Sequence, residues 1–254
     1  VPVTAGFPGR SFAVSTPTAA AATTAGRASA APPAADRQAD PTGRDRAELQ
    51  RRIESGDDLS PRGRKILFRC RTQQEAGDYY RAAEIMNEWL TGGSERLHHL
   101  LVYNLAVSQL ELGDPDAALR SLRAAVKLEP RFARAWLRLG EVAFGQGEYE
   151  TAAEAFARGY DLTPQPDVEI EYYIGVSRLR AEQPEQAFAV LADLLSDERA
   201  VAELAWYQAL VAAAIETDRP ERAAPHLDDL VHDRPADPDA WGLAYRYAAH
   251  REDY

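Results

Sequence analysis

The chain has 254 residues, with 40 acidic against 29 basic side chains and a formal net charge of −11. That balance argues against a nonspecific nucleic-acid binder, which needs a basic face to neutralise phosphates, and against docking on an anionic membrane. The single cysteine, Cys70, excludes an intrachain disulfide and a thiolate zinc cluster, and leaves the redox compartment open. No apolar run is long enough to insert into a bilayer; the longest, Leu204 to Ile215, is short and broken by Gln208.

Residues 1–43 are rich in Ala, Thr, Ser, Pro and Gly, and the first 35 contain no acidic side chain. Such a stretch buries too little apolar surface to offset its ordering entropy, so it reads as a tail or linker. An organelle transit segment and a spacer behind a cleaved export signal are the competing readings. The start at Val1 rather than Met implies processing or a longer parent chain. It fits a periplasmic or exported bacterial protein better than an organelle-targeted one. Within the tail, "SFAVS" at 11–15 has extended character and suits a strand laid along a partner.

From about Arg44 the pattern turns helical, with Leu49 and Ile53 on one face, and Gly56 then Pro61 end that helix. Everything after it repeats. Related turns begin at Gly77, Gly113, Gly147, Glu182, Asp218 and Glu252, at spacings of 36, 34, 35, 36 and 34 residues. A period of that size signals stacked helical hairpins. Five residues past the start of each of the first five turns stands an alanine: Ala82, Ala118, Ala152, Ala187 and Ala223. One helical turn later comes a bulky apolar residue: Met86, Leu122, Phe156, Leu191 and Leu227. The small residue admits the first helix closely and the large one fills the groove beside it. Before four of the turns lie Leu105, Leu139, Ile174 and Leu210, the core stripe of the first helix. Pro130, Pro164 and Pro235 close three repeats.

These columns resemble the tetratricopeptide repeat family. The match is fullest at 133–164, where Trp136, Leu139-Gly140, Tyr149, Ala152, Phe156 and Pro164 stand at the family's signature positions. The resemblance covers Gly63 to Tyr254. It departs at Arg69 and Cys70, at an extra "GG" at 92–93, and in a fourth repeat without its closing proline. The fold expected is all-α: a right-handed superhelical solenoid of antiparallel helix pairs over 44–254, with about five pairs and a terminal helix Ala240–His250. Trp241 and Tyr245 on that last helix should be partly exposed, which points to a longer natural chain or to a partner covering this end.

Chemistry is sparse. Gly145 and Gly147 in "GQGEYE" read as an interhelix turn, with glycine supplying a left-handed cap, and not as a phosphate loop. His98 and His99 are adjacent and so should face different sides of a helix, with no acidic residue completing a ligand set; no metal and no cofactor is expected. No nucleophile motif appears, so the chain reads as a non-catalytic scaffold or adaptor.

In stacked hairpins the first helices line the inner groove. The register places there Phe68 and Arg71; Tyr103, Asn104 and Val107; Arg134, Arg138 and Glu141; Tyr172, Tyr173 and Val176; and the blander Gln208, Ala209 and Ala212. Arginines and tyrosines in that row suit a peptide segment with an acidic group. Asn104, Arg134 and Arg138 look like three members of the carboxylate clamp of co-chaperone repeat domains. The clamp is incomplete, because Leu67 and Arg71 stand where its lysine and asparagine would fall. Two functions are thus expected: peptide binding in the groove, or a structural subunit tethered by the tail and the last helix.

Overall fold

In the computed structural model the described residues are 41–92, 97–197 and 203–252, with side chains described between 43 and 249. The tail through residue 40, with the 11–15 stretch, lies outside them, as do Gly93, the closing turn at 253–254 and the His250 side chain. Among the described residues there is no strand, and no helix is long and apolar enough to cross a membrane.

The first helix, α1, spans Pro41–Ser55. It starts before Arg44, because proline is tolerated in a first helical turn, where N–H groups lack partners anyway. Gly56 ends it with a left-handed φ of +71°. Pro61 does not help to end α1; it opens α2 (Pro61–Glu75), whose N-cap Ser60 accepts from the Gly63 N–H.

Five hairpins follow as a right-handed solenoid: α2 with α3 (Tyr79–Thr91), α4 (His99–Glu111) with α5 (Pro115–Leu128), α6 (Ala133–Gly145) with α7 (Tyr149–Leu162), α8 (Val168–Arg180) with α9 (Pro184–Leu195), and α10 (Leu204–Glu216) with α11 (Ala224–Asp233). A terminal α12 runs Pro238–Glu252. The fifth hairpin is irregular. Pro220–Ala223 is a 3-10 turn ahead of α11, so Ala223 sits in that turn and not on an α-helix as its column predicts. Pro225 just inside α11 has no N–H to extend the helix backwards.

The periodic columns form the core. Ala82, Ala118, Ala152, Ala187 and Ala223 are fully buried, and Met86, Leu122, Phe156, Leu191 and Leu227 are buried beside them. Gly140 shows why the first helix needs a small residue there. A Cβ on it would stand 2.7 Å from the Phe156 ring, inside van der Waals contact. Each hairpin turn closes by the same 6→1 backbone bond, from Asp78 N to Gln73 O, Asp114 N to Gln109 O, Glu148 N to Ala143 O, Gln183 N to Arg178 O and Arg219 N to Ala214 O. The left-handed residue is Gly77, Gly113, Gly147, Glu182 or Asp218. Gly145 is no cap. It is the last residue of α6, followed by Gln146 in right-handed helical geometry.

Candidate functional site

The register of the first helices predicts a row across α2, α4, α6 and α8, and the structure places its members in three conditions: exposed, half-buried and buried. Phe68 is 71% exposed and Arg71 is exposed on the same helix. Tyr103, Arg134, Arg138, Tyr172 and Tyr173 are half-buried. Asn104 is buried and engaged within its own helix: its amide donates to Leu100 O at 2.7 Å. Its backbone carbonyl accepts from Gln74 Nε2 at 2.8 Å. Of the three clamp-like residues, Asn104 therefore supports α4 against α2.

The two arginines are already matched with carboxylates. Arg138 donates to Glu141 at 2.6 Å, one turn along α6. Burial pushes the Glu141 carboxyl up, and Arg138 offsets only part of that. Arg134 reaches out of the solenoid to Glu54 of α1 at 2.9 Å. Burial likewise raises the Glu54 carboxyl, against the opposing charges of Arg134 and Arg71. Glu54 thus lies where both cations act on it. Nothing in the α1 sequence points to the row; only a contact across 80 residues shows it.

The tyrosines are seated on neighbouring rings. Tyr103 lies 5.1 Å from Phe132, and burial raises its phenol. Tyr173 packs on Phe156 at 5.7 Å and Phe144 at 5.9 Å, while Tyr172 stacks on Trp206 of α10 at 6.1 Å. Such packing holds flat apolar area in place before any ligand arrives. Away from this row, a hollow of about 230 Å³ between α7, α8 and α9 is ringed by Tyr160, Asp161, Glu171, Arg178 and Asp193. It is smaller than the about 300–1,000 Å³ of small-molecule sites.

Cys70 is fully buried and its thiol is pushed up to about 12 by burial, so it stays protonated and unreactive at neutral pH. The histidines depart from expectation. His98 and His99 do not face different sides: their rings stack at 4.3 Å with planes 29° apart. The reason is that His98 precedes the helix, in extended geometry with φ −124° and ψ 134°, so the helical offset between neighbours does not apply. An acidic residue does complete the group. Asp58 Oδ1 lies 3.0 Å from His98 Nε2, and donor atoms of Asp58, His98 and His99 all fall within 4.8 Å of one another. Burial pushes the Asp58 carboxyl up, but the hydrogen bond and charge of His98 outweigh it and hold it below its ordinary value.

Paired helices in register define an all-α helical-repeat solenoid. Residues 103–165 match the tetratricopeptide repeat family. Small glutamine-rich tetratricopeptide repeat-containing protein 2 of Mycosarcoma maydis is 34% identical over 65 residues, 26% of this chain. That match spans 18% of the relative's length. A MamA RS-1 double mutant has a similar fold, with a TM-score of 0.51 at 19% identity over 80% of this chain and 96% of its own. A second MamA crystal structure reaches 0.52 at 16% identity over 75% of this chain and 93% of its own. Over residues 103–165 the chain is thus similar to tetratricopeptide repeat proteins, and its helix-pair solenoid has the fold of these solved neighbours. Proteins of this kind are generally protein–protein interaction modules, and the fold is typically a non-catalytic scaffold.

Proposed function

We propose that the chain is a non-catalytic adaptor whose 44–254 solenoid holds a partner's peptide segment along the first helices, with residues 1–43 as its linker. The observation that carries this reading is one column of the repeat: Phe68, Asn104, Arg138 and Tyr173 share a register, and Phe68 stands 71% exposed at its open end. An aromatic ring left in water beside Arg71 and beyond Arg134 suits a segment with an apolar anchor and a carboxylate. The acidic group of such a segment exchanges with Glu54 on Arg134, an exchange of one ion pair for another that favours specificity over raw affinity.

The test uses a partner captured by the parent chain and identified by mass spectrometry. The double variant Phe68→Ala, Arg71→Glu alters only exposed side chains and should lose that partner while keeping its helicity. Glu54→Gln should strengthen capture by freeing Arg134. Unchanged capture by both variants would overturn groove binding.

A second reading is a structural subunit bound through α12, and a specific observation favours it. Trp241 and Tyr245 are 53% and 76% exposed one helical turn apart. Under it, Trp241→Ala with Tyr245→Ala releases the partner and the Phe68, Arg71 pair does not.

A further inference from the structure

We propose that Asp58, His98 and His99 form a binding site for a divalent transition-metal ion of the Zn²⁺ class, which fastens the α1–α2 turn to the start of α4. One donor atom from each residue lies within 4.8 Å of the other two. His98 Nε2 and Asp58 Oδ1 are 3.0 Å apart. Two ligands of a tetrahedral Zn²⁺ bound at about 2.0–2.1 Å stand about 3.3 Å from each other. The pair therefore needs to open by only a few tenths of an ångström to admit an ion between them.

The histidines are oriented for this from outside. His99 Nε2 meets the Ile53 carbonyl at 2.9 Å. A carbonyl only accepts, so Nε2 carries the proton and Nδ1 keeps its lone pair, the arrangement by which a backbone carbonyl aims a ligating imidazole. His98 Nδ1 accepts the Leu100 N–H at 3.2 Å, so its Nε2 carries the proton that Asp58 receives. An ion at Nε2 takes the place of that proton, and the ring changes tautomer so that Nδ1 carries it, at the expense of the long capping bond. The Asp58 charge offsets the ion. The turn that presents it is already set by Arg64, which donates to the carbonyls of Asp57 and Leu59. The Asp58 side chain is 67% exposed, which gives an ion its route and leaves the remaining coordination positions to water. Two imidazoles and one carboxylate suit Zn²⁺, Ni²⁺, Co²⁺ or Cu²⁺, and not the all-oxygen preference of Mg²⁺ or Ca²⁺.

The experiment is calorimetric titration of the full, chelator-treated chain with Zn²⁺, together with thermal melts in its presence. The expected result is one ion per chain and a raised melting temperature. Asp58→Asn and His98→Asn should each weaken binding by about tenfold or more. Asparagine at 98 keeps a side-chain oxygen for the Leu100 N–H, so the start of α4 survives the change. His232→Asn, on α11, should bind like the parent. The proposal is overturned if no saturable site appears, if both ligand variants bind like the parent, or if His232→Asn alone removes the ion.

Discussion

At the left-handed position of the interhelix turns, three glycines give way to Glu182 and Asp218, whose φ values are +59° and +58°. A side chain with a Cβ pays about 1 kcal/mol or more for that geometry, aspartate somewhat less because its short carboxylate bonds locally. Glu182→Gly and Asp218→Gly should therefore raise stability by about 0.5–1 kcal/mol each in urea denaturation, with the glutamate site gaining more. Glycine's greater freedom in the unfolded chain limits the gain, and a loss at both sites would refute the reading. Gly140→Ala should move the other way, by about 1–3 kcal/mol, since its Cβ enters the Phe156 ring. Gly145→Ala has open space around it and a helical backbone, so it should stabilise slightly. The two glycines of "GQGEYE" thus part company. Sequence places both at a turn, but which of them turns left-handed depends on where the last α-helical bond closes, and composition carries no mark of that.

Helix α1 is the element whose existence is readable and whose role is not. Leu49 and Ile53 mark its apolar face at helical spacing. Its destination is a contact across 80 residues or more, and the repeat period holds no trace of it. The structure shows α1 finishing the start of α6. Phe132, the N-cap of α6, contributes no capping bond. Gln50 does so instead, accepting from Ala133 N at 3.1 Å and donating to Arg131 O at 2.7 Å. Gln50→Ala leaves both groups without a protein partner in a largely buried place. It should cost about 1–3 kcal/mol. It should also expose the bonds after Arg51 and Arg52 to trypsin, read as a faster appearance of chain cut at α1. Cleavage no faster than in the parent would show that Leu49, Ile53 and Glu54 hold α1 without Gln50.

Across the whole solenoid the repeat columns make the architecture readable, because stacking neighbours imposes the same small and large residues at the same offsets every 34–36 residues. The candidate groove is readable to the same extent, as a register. The internal partners of Arg134 and Asn104 are not, because they come from α1 and from the α4 backbone. The same holds for the histidine–aspartate group, assembled where the α1–α2 turn meets the start of α4.

Stability in such an array is a sum of neighbour interfaces, and here the apolar core falls into two clusters. One runs from Ile53 to Ile174 and the other from Val176 to Tyr247. Phe144 at the end of α6 packs against both, and its ring meets Tyr149 at 5.4 Å and Tyr173 at 5.9 Å. Its removal takes away a contact shared by the two halves while leaving each half's own core in place. Phe144→Ala should cost about 2 kcal/mol, less than a fully buried phenylalanine because the ring is only half-buried. More tellingly, it should divide one unfolding transition into two. Hydrogen exchange would then show α9 to α12 opening while α4 to α7 stay protected. If both halves still open together in the variant, coupling runs through the α8 backbone itself, and Phe144 only fills space.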